Sequence, residues 1–379
     1  MRIACIATSR VPSRTANSIQ VMKVCQALGE LGHQVRLWLP GQPAVTDEGG
    51  LVAHYGLRTV VPISWLPSFN WGRHYDFCAR AAVAGRRWRA DLFYVWPLPA
   101  AALASSFNWP TVLEVHDHPT GRLGPAVFRQ FLRGRGPRRL LITTAALRDW
   151  LEEHYRVDLR HPLAVLSPNG VDLERYKDLP SPQEARRGLG LEQRLTAVYT
   201  GHLYAGRGIG LILELARMNP NMGFVFAGGE PESVDRWRRQ AQASGLGNAV
   251  FLGFVPNDRL PLIQAAGDIL LMPHERRVLD SGGGDIADFT NPMKAFEYLA
   301  AGRPILASDL PVLREILNPS NAVLLPPDDP AAWDRALGAL EADPARRRRL
   351  AQRAAEEALR HSWTARAERA LEGLSSDVG

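Results

Sequence analysis

Cysteine is scarce. Of 379 residues only Cys5, Cys25 and Cys78 carry a thiol, and no two stand at the spacing of a metal-ligand pair. That excludes a disulfide scaffold and a cysteine-held metal, and it fits reduced, buried thiols in a cytoplasmic protein. No apolar run approaches the roughly 20 residues that a membrane-spanning helix needs. Internal repeats and low-complexity tracts are missing too. No Asp-x-Asp closes a predicted strand and no His/Cys cluster has ligand spacing, so no metal and no other cofactor is expected. The opening MRIACIAT reads as a short strand running into the polar SRVPSRTANS, not as a signal peptide.

What is present is an ordinary globular composition, 46% hydrophobic and 22% charged, in a chain long enough for two domains of roughly 150–200 residues. The net charge of +6 is unevenly placed. Residues 1–180 hold 22 Lys and Arg against 14 Asp and Glu, and residues 181–379 hold 23 against 25. A basic first half suits an anionic partner, such as a membrane surface or a phosphorylated acceptor, or is simply a solvated surface.

Strands and helices alternate in both halves. RIACIA, QVRLWLP, DLFYVW, TVLEVHD and RLLITTA are short apolar strands, and SIQVMKVCQALGELG is a helix stopped at Gly32. DLPSPQEARRG, residues 178–188, reads as a linker. The alternation then resumes with LTAVYTG, GFVFAGG, NAVFLGFV, ILLMP, PILAS and AVLLP separated by helices. This order predicts an α/β protein with two doubly wound parallel sheets facing a cleft, and ligands at the carboxyl ends of the strands. The domains are expected at 1–180 and 181–360, with a C-terminal helix at 361–379 crossing back to the first. The four-arginine run in the tail reads as a solvated helix face, and nucleic acid is not an expected partner.

Four strand ends of the second half carry anion- or diol-compatible groups. In YTGHLYAGRG, Gly201 closes a strand, His202 follows, and Arg207 opens the next helix, where charge and helix dipole favour the same anion. In FAGGE, Gly228 and Gly229 let the backbone approach a flat ligand. In FLGFVP, Phe254 and Val255 lie where a base can rest. In TNPMKAFEYLAAG, Thr290, Asn291, the helix start at Pro292 and Met293, and Lys294 can reach a phosphate, while Glu297 one turn on can accept from a ribose diol. Each has a plainer reading: the Lys–Glu pair as a surface ion pair, the glycine pair as a turn.

The ordered set LSPNGVDLERY, YTGHLYAGRG, FAGG, NAVFLGFVP and NPMKAFEYLAAGRPILASDLPVLREIL, with ANSIQVMKVCQALGELGHQV, EVHD and SWTARAERAL, resembles the GT-B glycosyltransferases of family 4 over most of the chain. The resemblance implies a retaining, metal-independent transferase, moving a hexosyl group from a nucleotide-diphosphate sugar, UDP- or GDP-linked, to an acceptor hydroxyl. It also implies a role in cell-surface polysaccharide, glycolipid or other glycoconjugate synthesis. The diphosphate clamp falls on His202 and Arg207, and the ribose carboxylate on Glu297. The family's first carboxylate falls on Phe289, a departure for which Asp288 and Asp285 stand near enough to substitute. His116 of EVHD matches the histidine beside the transferred sugar, although loop backbone alone can account for it. The glycine-rich first loop is replaced by SRTANS, where the amides of Ala16 and Asn17 and the charge of Arg14 remain. His116, Arg207 and Glu297 are thus the expected catalytic residues.

Two segments interleave aromatics with arginine, 63–92 and 128–140. They suit an anionic membrane at the inner face of the cell membrane and a lipid-linked, sugar or polyanionic acceptor, or else form ordinary amphipathic helices with extended arginines. Two other functions share the architecture: a nucleotide-sugar 2-epimerase, for which carboxylates at matched positions are few, and a nucleotide-sugar-binding protein without transfer, which Phe289 favours.

Overall fold

The computed structural model describes residues 1–43, 47–69, 74–277 and 288–374. The chain forms two compact units. One is Met1–Asn169 joined by the C-terminal helix Trp363–Leu371, and the other is Gly170–Ser362.

The first unit holds seven parallel strands: β1 (Arg2–Ile6), β2 (Gln34–Pro40), β3 (Ile63–Leu66), β4 (Leu92–Val95), β5 (Thr111–Val115), β6 (Arg138–Ile142) and β7 (Ala164–Leu166). Their spatial order is β3-β2-β1-β4-β5-β6-β7. The second unit holds β8 (Thr196–Thr200), β9 (Gly223–Ala227), β10 (Ala249–Gly253), β11 (Ile269–Met272), β12 (Ile305–Ser308) and β13 (Val323–Leu325). Their order is β10-β9-β8-β11-β12-β13, and every pair is parallel. Strands β4, β5, β8, β9, β11 and β12 are buried at every residue, which is why they read as continuous apolar runs without alternation. In each sheet the order turns at the first strand, so the loops after β1 and β8 lie where a doubly wound sheet binds its ligand.

The helix predicted near the start spans Ala16–Glu30. Thr15 caps its first turn, and Gly32, at φ 82°, ends it. Two expectations needed correction. The supposed linker contains a helix, Pro182–Gly188, because Ser181 and Glu184 form a reciprocal capping box around a proline start. The prolines and charges that look like a break are the signals of a helix beginning. The segment 63–92 is not wholly helical either, since it supplies edge strand β3 before the helix Tyr75–Arg87.

All three cysteines are buried free thiols. Among the described residues no helix is long and apolar enough to cross a membrane.

Candidate functional site

The second unit places Gly201, Gly228, Gly253 and His274 at the carboxyl ends of its strands. Gly201, Gly228 and Gly253 close β8, β9 and β10 with φ of 132°, 113° and 71°. Gly201 N donates to Ala227 O at 2.8 Å, and Gly228 N donates to Gly253 O at 2.7 Å. A Cβ on Gly228 would sit 2.4 Å from Gly201 O, and one on Gly229 would sit 2.8 Å from Leu203 Cγ. Close packing of these turns thus already demands both glycines, before any flat ligand is considered.

Past β8 the chain reaches Arg207, then Gly208 at φ 70°, then the helix Ile209–Met218. Arg207 Nη1 stands 3.2 Å from Nε2 of His274, which is fully buried. Lys294, in the first turn of the helix Met293–Ala300, donates to Tyr199 Oη at 3.0 Å and lies 4.1 Å from the Tyr199 ring centroid. Tyr199 in turn donates to the carbonyl of His202 at 2.6 Å. Burial pushes the Lys294 ammonium well below its ordinary range, and the Arg207 charge adds to the shift, while Glu297 works against it. Burial likewise lowers His274, aided by Lys294 and Arg207. A neutral His274 therefore accepts the Arg207 hydrogen bond. Arg207 Nε and His274 Nδ1 are buried with no hydrogen-bond partner among the described residues. Neither Arg207 nor Lys294 has a carboxylate within ion-pair distance there. Two basic side chains and a helix start, with no carboxylate within ion-pair distance among the described residues, make a receptor for a compact dianion.

Beside it, Gln264 links several groups. Its amide donates to Thr200 Oγ1 at 3.2 Å and to Glu297 at 3.4 Å, while its carbonyl accepts from Tyr176 Oη at 2.9 Å. Tyr298 Oη accepts from Thr200 N at 2.8 Å. Glu297 is thus oriented at the edge of a buried polar network, half-buried itself.

The remaining candidates of this unit sit around these groups. His202 stacks its ring on Tyr204 at 4.6 Å. Phe254 is exposed just past β10, with Val255 half-buried after it. Phe289, Thr290, Asn291, Pro292 and Met293 are half-buried at and before the helix start, and Asp288 is exposed. Asp285 lies outside the described residues. His274 and Gln264 went unnoticed in the sequence, although a histidine and a glutamine among otherwise apolar positions were the available signal.

In the first unit, Ala16 and Asn17 are exposed at the first turn of their helix, and Asn17 Oδ1 accepts from Ser9 Oγ. His116 follows β5 and places Nε2 2.7 Å from Glu114 Oε1. Glu114 is buried and receives both arms of Arg366 from the C-terminal helix, at 2.6 and 3.1 Å. Tyr94 Oη and Gln20 Nε2 also donate to it. Burial alone would raise the Glu114 carboxyl, but Arg366 and His116 more than offset that and hold it at about 2. None of Glu114, Arg366, Tyr94 or Gln20 was singled out from sequence. The signal was a carboxylate inside an apolar strand and an arginine on the apolar stripe of a helix.

Comparison with known proteins finds glycosyltransferases. Residues 18–175 match the family model described as Glycosyltransferase Family 4, and residues 207–372 match one described as Glycosyl transferase-like. A 2-deoxystreptamine glucosyltransferase of Streptomyces kanamyceticus is 27% identical, over 76% of this chain and 80% of the relative. A 2-deoxystreptamine N-acetyl-D-glucosaminyltransferase of Streptomyces fradiae is 26% identical, over 95% of this chain and 90% of the relative. A phosphatidyl-myo-inositol mannosyltransferase of Mycolicibacterium smegmatis is 26% identical, over 91% and 86%. Among solved structures, Anabaena HepE in complex with UDP superposes with a TM-score of 0.75 at 18% identity, over 99% of this chain and all of that one. At that identity the likeness is one of fold.

Proposed function

Because the chain belongs to the GT-B glycosyltransferases of family 4, we propose that it moves a hexosyl group, with retention at the anomeric carbon, from a nucleotide-diphosphate sugar to an acceptor hydroxyl. The observation that carries this reading is the Arg207–Lys294 pair, two cations with no carboxylate partner among the described residues, set at the start of the helix Met293–Ala300.

In the proposed step the bond from the anomeric carbon to the diphosphate oxygen breaks first. Arg207, Lys294 and the helix start take up the charge that develops on the leaving group. The acceptor oxygen then bonds to the same face of the anomeric carbon, and its proton passes to the departing phosphate oxygen. Positioning and fixed charge do this work, without a covalent protein intermediate. Glu297 holds the ribose diol and His116 meets the transferred sugar. The backbone past β9 and β10, with Phe254 and Val255, carries the base. Phe289 leaves the family's first carboxylate position apolar, so the sugar hydroxyl normally met there is read by another group, for which Asp288 is the nearest described acid.

For the acceptor we favour a polyhydroxylated six-membered ring, free or lipid-linked, because 2-deoxystreptamine and phosphatidyl-myo-inositol, named for two relatives, share that chemistry. The basic first half supports an anionic or membrane-borne form. Arg80 lies over Phe69 at 5.3 Å, and Phe69 is exposed. Co-sedimentation with anionic and neutral vesicles tests this, and binding that ignores lipid charge and salt removes it.

Thermal-shift titration with UDP, GDP, ADP and dTDP, followed by product analysis with the matching sugar nucleotides, tests the main reading. Nucleoside diphosphate released together with a glycosylated acceptor supports transfer. An altered free donor sugar means epimerisation, and unchanged donor with tight binding means a binder. No shift with any nucleotide overturns the assignment of the site.

A further inference from the structure

The chain places a full buried ion pair beneath His116. Arg366 and Glu114 have 1% and 0% exposed side chains, and the fork on Glu114 is two-armed. Arg366 also donates to the carbonyls of Pro168 and Ser167 at 2.9 and 3.2 Å and to Tyr94 Oη at 3.2 Å. Gln20 gives its amide to Glu114 and accepts from Trp96 Nε1 at 3.0 Å. A buried pair of this kind is seldom more stabilising than well-packed apolar residues, so its presence asks for another reason. Of the described groups hydrogen-bonded to Glu114, His116 alone is substantially exposed, at 33% of its side chain.

We propose that Glu114, gripped by Arg366 of the C-terminal helix, is the positioning residue that fixes the orientation and tautomer of His116. The inference rests on the proposed role of His116 and deepens it. An ionised carboxylate only accepts hydrogen bonds, so the proton shared across the 2.7 Å contact belongs to His116 Nε2. In the neutral ring Nδ1 is then the bare nitrogen. The ring presents an acceptor to its ligand, and the ligand group that fits is a hydroxyl that donates, as a sugar does. Without Glu114 the Nδ1–H tautomer becomes available as well, and a ring in that form offers a donor where an acceptor is required. Because Arg366 comes from the far end of the chain, the C-terminal helix takes part in the histidine's geometry.

Nitrogen-15 labelling of histidine, with long-range proton–nitrogen correlation, reads the tautomer directly, and His116→Ala assigns the signal. The expected wild-type signature is Nε2–H with bare Nδ1, and a wild-type Nδ1–H ring overturns the proposal by itself. Glu114→Gln is near-isosteric. The double variant Glu114→Leu with Arg366→Leu removes both charges together, so a folded protein is available in at least one of them. Both should show mixed tautomers and at least a tenfold loss of kcat, with the donor KM within twofold. Arg139→Met is the control. Arg139 holds the same helix through the carbonyls of Arg369 and Ala370 at 3.2 Å without touching Glu114. It should keep the wild-type tautomer and kcat. Equal kcat loss in the control, or an unchanged tautomer and kcat in the Glu114 variants, defeats the proposal. Wild-type kcat in His116→Ala defeats the proposed role of His116 instead, whatever its tautomer.

Discussion

Lys294 points its ammonium at Tyr199, with 3.0 Å to the phenolic oxygen and 4.1 Å to the ring centroid. A cation held by an aromatic ring and a hydroxyl, rather than by a carboxylate, is stabilised too weakly to offset its desolvation. The receptor is therefore strained toward neutrality until an anion arrives.

Lys294→Met should separate binding from stability. Nucleoside diphosphate affinity falls about 10- to 100-fold, the loss expected for one charge-assisted contact of roughly 1.5–3 kcal/mol. The melting temperature of the unliganded protein holds or rises, because an ill-paired cation has been removed. Calorimetric titration and thermal unfolding of the same preparation check both halves. A variant that melts lower and binds as well as wild type contradicts the reading.

Proton uptake should accompany donor binding. Lys294 is lowered in the unliganded protein from an ordinary 10.5, and a bound dianion restores the charged form. Between the unliganded and liganded pKa values the complex holds the extra proton, so affinity falls as pH rises through that window. The same shift makes the unliganded fold gain stability as pH rises toward 10.5, since the unfolded chain binds the proton more tightly there. Titration calorimetry in buffers of different ionisation enthalpy counts the protons, and a count of zero across the alkaline range is the contrary result.

Acid should act through Glu114. Its carboxyl is held at about 2 against an ordinary 4.5, so the unfolded chain protonates first. Stability present above pH 4.5 is lost as pH falls toward 2. The difference is about 3 kcal/mol at full effect. Denaturant melts of wild type and of the Glu114→Leu, Arg366→Leu double variant at several pH values give the comparison, and the variant's stability should fall less across that window.

Glycine positions offer a packing test. Gly208→Ala, with φ 70° and a Cβ that would lie 1.8 Å from Pro273 O, should cost more than about 2 kcal/mol and weaken nucleotide binding by displacing Arg207. Gly210→Ala, two residues on in the helix with open space around its Cβ, should be neutral or stabilising by up to about 1 kcal/mol. Chemical denaturation of both variants decides it.

Strands buried on both faces announced themselves in the sequence, because only continuous apolar runs survive there. In the first sheet the two that escaped notice, β3 and β7, are its edges, short and only partly covered, so little apolar pattern is imposed on them. The resemblance pointed to Arg207 and Glu297, and the helix-start pattern to Lys294, because each lies in a short motif at the end of a strand or the start of a helix. Glu114 and Arg366 escaped because each looks misplaced alone. They explain one another only across 252 residues of chain, a separation no local pattern encodes.

That separation has a consequence for synthesis. Glu114 leaves the ribosome 252 residues ahead of its guanidinium, roughly 10 to 50 s at ordinary elongation rates. Throughout that interval the nascent first unit holds an acid that cannot be sealed away, so its final closure waits for residue 366. A messenger truncated before codon 366 would yield a chain in which that closure never comes.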